Sequence, residues 1–122
     1  GGISADKNSA AHLRDCEKYS VNPFDIVVCN FYPFEKTINQ ENFKHEDAIF
    51  NLDIGGPAMV RCAAKNYKNV SVLVDTNDYD PFIKELKRGE ISLSTRKKLS
   101  LKAFKYTQKY NQAIIDYFTS VF

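Results

Sequence analysis

The chain has 122 residues, 43% of them apolar and 26% charged, and its 17 Lys and Arg against 15 Asp and Glu leave a net charge of +2. Those proportions describe one domain over residues 1–122, large enough for a real core and too small for two. The mild charge argues against nucleic acid or an anionic membrane as default partner, and no apolar run approaches a membrane span.

In chain order, the first patterned segment is NSAAHLRDCEKYS, residues 8–20. Ala11, Leu13, Cys16 and Tyr19 recur there at loosely helical spacing after caps at Asn8 or Ser9, which predicts a modest amphipathic helix. FDIVVCN, residues 24–30, follows Asn22-Pro23 as a continuous apolar run rich in β-branched residues. That is the pattern of a parallel strand covered on both faces. A turn at Tyr32-Pro33 comes next, then a loop near residues 36–44, a short helix from His45 to Leu52, and a helix opened by Gly56-Pro57. VSVLV, residues 70–74, predicts a second covered strand. Tyr79, Phe82, Ile83 and Leu86 then step as one helical face and stop at Gly89. From a cap at Ser92 or Ser94, the stripe Leu99, Ala103, Tyr106, Tyr110, Ala113, Ile114, Tyr117, Phe118 and Val121 predicts the longest helix. Strands alternating with helices imply an α/β fold, a three-layer sandwich with a mainly parallel sheet.

Cys16, Cys29 and Cys62 are odd in number, widely spaced and set among apolar neighbours, the pattern of reduced, buried thiols in a cytosolic protein rather than disulfides or metal ligands. Ligands of open parallel sheets bind beyond the carboxyl ends of the strands. Cys29 and Asn30 fall at such an end, with Tyr32 in the following turn. Asn30 offers an amide donor and acceptor suited to a heterocycle or carboxamide, although Asn and Pro are also ordinary turn residues. In DIGGP, Pro57 costs nothing in a first helical turn, and Gly55 and Gly56 let backbone approach a ligand. A helix mouth of free N–H groups would stabilise negative charge on an anion or a forming oxyanion. Asp53 reads equally as the cap of that helix, and Lys65 as a cation favoured by its C-terminal dipole. The basic residues Arg96, Lys97, Lys98, Lys102, Lys105 and Lys109 lack aromatic interleaving on their own face and read as a solvated helix surface.

CNFYPFEKT, IFNLDIGGPAMVRCAAKNYKNVSVLVD, DYDPF and LSTRKKLSLKAFKYTQKYNQAIIDYF, in this order and at these separations, resemble the IMP cyclohydrolase domain of the bifunctional proteins that join it to AICAR formyltransferase. The similarity runs from about Gly1 to Phe118. It implies a methylglyoxal-synthase-like fold and the last step of purine biosynthesis, closure of the formyl-AICAR ribotide to inosine monophosphate with loss of water. By motif, Cys29, Asn30, Asp53, Ile54 and Gly55 match the family's substrate-reading positions, and Lys65, Asp53 and Tyr32 its catalytic ones. Phe31, Cys62 and Tyr67 depart from the residues usual in the family. The resemblance further implies a cytoplasmic homodimer that binds the nucleotide, with no cofactor for ring closure and 10-formyltetrahydrofolate for the formyltransferase. On this reading the chain is a fragment, lacking the family's N-terminal phosphate loop and its C-terminal formyltransferase domain, and inactive by itself. The alternative is a non-catalytic nucleotide-binding or allosteric module of the same fold. One geometric difficulty is visible already: from Pro57 to Lys65 a helix rises roughly 12 Å, which holds Lys65 away from Asp53 unless the helix is bent, is approached from its flank, or a partner chain supplies the lysine.

Overall fold

The computed structural model describes all 122 residues. Ile26–Val28 (β1) and Ser71–Leu73 (β2) pair in parallel, with Ile26 opposite Ser71, Val27 opposite Val72 and Val28 opposite Leu73. Three helices make the crossover between them: Phe34–Ile38 (α2), His45–Phe50 (α3) and Gly55–Lys65 (α4). Helix Ala10–Lys18 (α1) precedes the sheet. Tyr79–Leu86 (α5) and Leu93–Val121 (α6) follow it, with a single turn of 3-10 helix at Thr76–Asp78. This is an α/β chain with a small parallel sheet.

Alternation along the strands decides where the core lies. Val70, Val72 and Val74 face α4 and meet Val60, Ala63, Ala64 and Ala103 in one buried cluster, against which Val27 packs from β1. Alanines at 63 and 64 let α4 and α6 approach closely enough for the Ser100 hydroxyl of α6 to donate to the Ala64 carbonyl at 2.7 Å. On the opposite face Leu73 is covered by Phe82, Ile91 and Leu99. That cover stops at β2. Ile26 and Val28, which share the Leu73 face, stand 37% and 54% exposed, so the first strand is not covered on both faces as its apolar run predicts. The run is apolar because one face packs on α4, and the other has no layer above it within this chain.

α6 is the frame. Its 29 residues extend roughly 43 Å at about 1.5 Å each. Ser92 is its cap, accepting the Thr95 N–H at 3.1 Å. Leu99, Ala103, Tyr110 and Tyr117 belong to three separate buried clusters, so one helix braces them all. The stripe differs from expectation in detail. Ser100 and Thr107 are buried, Thr107 by donating to the Ala103 carbonyl at 2.9 Å, while Val121 is exposed. Satisfying the hydroxyl within the helix is what lets a polar residue face a core.

Two local expectations change. Part of the segment expected as a loop from residue 36 is helical: α2 ends at Ile38, with the Thr37 hydroxyl bonded to the Pro33 carbonyl at 3.0 Å. Its Phe34 is wholly buried against Tyr110 and Tyr117. α1 forms where predicted, with Ser9 as cap, yet none of its residues is buried. The three cysteines are free thiols of intermediate exposure rather than fully buried. Gly89 ends the α5 segment at φ +131°, a conformation that a side chain would strain. No helix is long and apolar enough to cross a membrane.

Candidate functional site

The carboxyl ends of the two strands meet the mouth of α4, and Asp53 sits between them. Its Oδ1 accepts the Gly56 N–H at 2.7 Å and its Oδ2 accepts the Tyr32 N–H at 3.1 Å. Its own N–H donates to the Tyr110 hydroxyl at 2.7 Å. The carboxylate therefore caps α4, as one of the two open readings held, and also clamps the Tyr32 turn to it. Two of its roughly four lone-pair positions are engaged, which leaves acceptor capacity toward the outside of the site.

The glycine pair divides its labour. A Cβ on Gly56 would lie 2.5 Å from Asp53 Oδ2 and 3.0 Å from the Phe31 ring, whereas a Cβ on Gly55 would meet nothing within 4 Å. Gly56 is thus required by the carboxylate and the ring behind the site, and Gly55 opens the mouth to solvent. Ile54 beside it is 74% exposed, a large apolar side chain left in solvent. The expected row of free N–H groups is interrupted at Gly56, whose donor Asp53 already holds.

Asn30 follows β1, and its side-chain amide donates to the Val74 carbonyl at 2.8 Å. That bond ties the ends of the two strands together and commits the amide donor, leaving the side-chain carbonyl free to accept. Cys29 is half-buried. Burial, and behind it the negative charge of Asp53, push its thiol above the ordinary cysteine range. A protonated thiol is a poor nucleophile, so Cys29 offers contact and shape rather than covalent chemistry. Tyr32 is exposed and lines a cleft of about 280 Å³ with Phe31, Glu35, Tyr106, Lys109 and Tyr110. A hollow of about 460 Å³ adjoins it through Tyr106 and Lys109 and reaches Asn30 and Lys102. Lys102 there is held by Asp75 at 2.8 Å and Asp78 at 2.6 Å.

Cys29, Asn30, Tyr32, Asp53, Ile54 and Gly55 are thus gathered at one edge. Lys65 is not with them. It ends α4, an 11-residue helix whose rise of roughly 15 Å separates it from the mouth, and it lines a polar hollow of about 400 Å³ with Asp6, His12, Asn66 and Lys68. The residues that sequence reasoning missed as site components are Tyr106 and Tyr110, read only as core positions of α6. Phe31 packs between them, its ring centroid 4.6 Å from Tyr106 and 4.9 Å from Tyr110. The hydroxyls on an otherwise apolar stripe were the available signal, since a buried phenol needs a partner.

Fold and site together define a parallel α/β domain with a cluster of polar groups about the Asp53 carboxylate at the carboxyl edge of its sheet. The family model described as the AICARFT/IMPCHase bienzyme matches residues 63–121. Bifunctional purine biosynthesis proteins PurH from Macrococcus caseolyticus and Bacillus subtilis are 44% and 41% identical over 98% and 99% of the chain, covering 24% of each relative. One from Prochlorococcus marinus subsp. pastoris is 48% identical over 96% of the chain and 22% of its own length. A solved structure described as the crystal structure of ForH superposes with a TM-score of 0.80 at 31% identity, covering 96% of this chain and 62% of that one. Over nearly its whole length the chain is thus similar to proteins of the AICARFT/IMPCHase family. It spans about a quarter of the length of the curated relatives it matches.

Proposed function

We propose that these residues form the base-reading part of an IMP cyclohydrolase site, in a methylglyoxal-synthase-like three-layer domain, in which the ring of formyl-AICAR ribotide closes to inosine monophosphate. The observation that carries this reading is Asp53, fixed by three hydrogen bonds at the edge where Asn30, Tyr32 and the open Gly55 mouth converge. Both reacting groups are on one imidazole, so orientation is cheap and the leverage lies in moving protons. The carboxamide nitrogen bonds to the formyl carbon and loses one proton, and the formyl oxygen gains one. Loss of that oxygen as water then takes the second proton from the ring-forming formamide nitrogen. Asp53 accepts or orients the carboxamide proton, the mouth at Ile54 and Gly55 faces the developing oxyanion, and Tyr32 supplies a proton as water departs. Neither step transfers electrons, so ring closure asks for no redox cofactor. In the whole protein the same reading adds AICAR formyltransferase activity with 10-formyltetrahydrofolate.

Lys65 enters through a second copy of the chain. A homodimer that sets one protomer's α4 end against its partner's α4 mouth brings lysine and carboxylate to one substrate. Mixing full-length Asp53→Asn and Lys65→Ala proteins, each inactive alone, then restores turnover in the mixed dimers. No recovery on mixing assigns Lys65 to its own chain's site.

The capping bond favours a second reading, a nucleotide-binding module without chemistry, in which Asp53 serves only the fold. Asp53→Asn in the full-length protein decides between them. Under the catalytic reading turnover falls by roughly two orders of magnitude, with only a modest loss of stability. Near-normal turnover with a markedly lowered melting temperature leaves Asp53 a cap alone, and the module is established if the unaltered full-length protein binds the nucleotide without closing the ring.

A further inference from the structure

Tyr110 is a core residue by its 6% exposure, yet its hydroxyl is aimed away from the core at the peptide of Asp53. Rings hold it there. Phe31 and Phe34 meet it edge-on, with centroids 4.9 and 6.2 Å away at interplanar angles of 69° and 67°. The hydroxyl oxygen accepts the Asp53 N–H at 2.7 Å, and its proton has the Asn51 carbonyl 3.5 Å away. Asp53 in turn holds Tyr32 and Gly56 through its two carboxylate oxygens. The chain of contacts therefore starts on the most extensively braced helix of the fold and ends on the exposed Tyr32 turn and on the buried Gly56 at the α4 mouth. No other side chain bonds the Asp53 backbone.

We infer that Tyr110 is the positioning residue of the site, setting the Asp53 carboxylate, and through it the Tyr32 turn, in register with the α4 mouth. Burial above all, with the charge of Asp53 adding to it and the Asp53 N–H opposing it, raises the Tyr110 hydroxyl above the usual tyrosine range. The group is a neutral phenol wherever the protein works. It moves no proton itself, so its contribution is geometric. A small displacement of a reacting group is costly in rate and nearly silent in substrate affinity, which gives the role a signature. The kinetic part of the test rests on the ring-closure reading; the structural part does not.

The experiment compares Tyr110→Phe with Tyr117→Phe in the full-length protein. Both remove one buried phenol oxygen from α6 and keep the ring. The Tyr117 hydroxyl shares a hydrogen bond of 2.8 Å with His45 Nδ1, away from Asp53. Tyr110→Phe accelerates amide hydrogen exchange at Tyr32, 78 residues earlier in the chain, and lowers kcat roughly tenfold while KM stays within about twofold. Tyr117→Phe does neither of these. Exchange at Tyr32 and kcat no different from those of Tyr117→Phe overturn the positioning role. Faster exchange at Tyr32 with kcat unchanged upholds it and refutes instead the catalytic reading of Asp53.

Discussion

Two neighbouring glycines make a sharp test, because the same substitution should have opposite signs at them. Alanine at position 55 meets open space, and replacing Gly in a helix recovers up to about 1 kcal/mol of helix propensity. Alanine at position 56 gains the same propensity but must displace the Asp53 carboxylate, 2.5 Å from the new methyl, or the Phe31 ring at 3.0 Å. The carboxylate is the movable one, and moving it surrenders the bonds from Gly56 and Tyr32. A hydrogen bond to a charged group contributes about 1.5–3 kcal/mol. Two such bonds at the lower figure cost about 3 kcal/mol, and the propensity gain offsets about 1, leaving a net loss of about 2 kcal/mol. For a chain of this size that lowers the melting temperature by about 8 °C, against a rise of a few degrees for Gly55→Ala. Thermal unfolding followed by circular dichroism reads both variants under one condition. Equal melting temperatures would refute the close packing of Gly56 against Asp53 and, with it, the view that the carboxylate is pinned.

Asn30→Leu removes the amide that joins the strand ends and should cost about 1–2 kcal/mol in urea unfolding; a neutral result would mean that the Val74 carbonyl finds another donor. Val28→Thr, on the open face of β1, should change stability by less than about 0.5 kcal/mol, while Val72→Thr, buried at 1% exposure, should cost at least about 1.5 kcal/mol in the same measurement. Hydrogen bonding to Lys102, followed by that from the Asn77 N–H, holds the Asp75 carboxyl below its usual value, and Asp75 and Asp78 raise Lys102 above its own. A depressed carboxyl stabilises above its unfolded pKa and loses that contribution as pH falls through the folded value, while a raised lysine loses its contribution as pH rises through its folded value. Lys102→Met should therefore destabilise between roughly pH 5 and 10 and converge on the parent in stronger acid, as pH-dependent melting would read.

How much of this was legible depended on how local each cause is. VSVLV announced a covered strand because both of its faces are buried, and the same pattern in FDIVVCN overstated the cover because periodicity cannot report a layer that is absent on one side. The steps of three and four in α6 located the helix and its Ser92 cap, since both signals lie within the helix itself. Helix α2 escaped notice because five residues carry no periodicity, and its stability comes from Phe34 meeting rings more than 70 residues away. The site divides along the same line. Asp53 as a cap could be read from DIGGP, three residues from its acceptor's donor, whereas its bond to Tyr110 spans 57 residues and has no trace in spacing. Asn30 was read as a free amide, and the structure commits its donor to Val74 across 44 residues.

Within these 122 residues, the helix that braces all three clusters comes after every segment that it braces. Leu99, Ala103, Tyr110 and Tyr117 complete those clusters, so none of the three can be finished while residues before α6 are emerging from the ribosome. Until then Phe34, Val60, Val72 and Phe82 have no lasting cover, and an unpaired strand edge is available to neighbouring chains. Order of manufacture and order of assembly are therefore opposed in this chain: its apolar segments wait, dependent on chaperones or on speed, for the one helix that gives them a common wall.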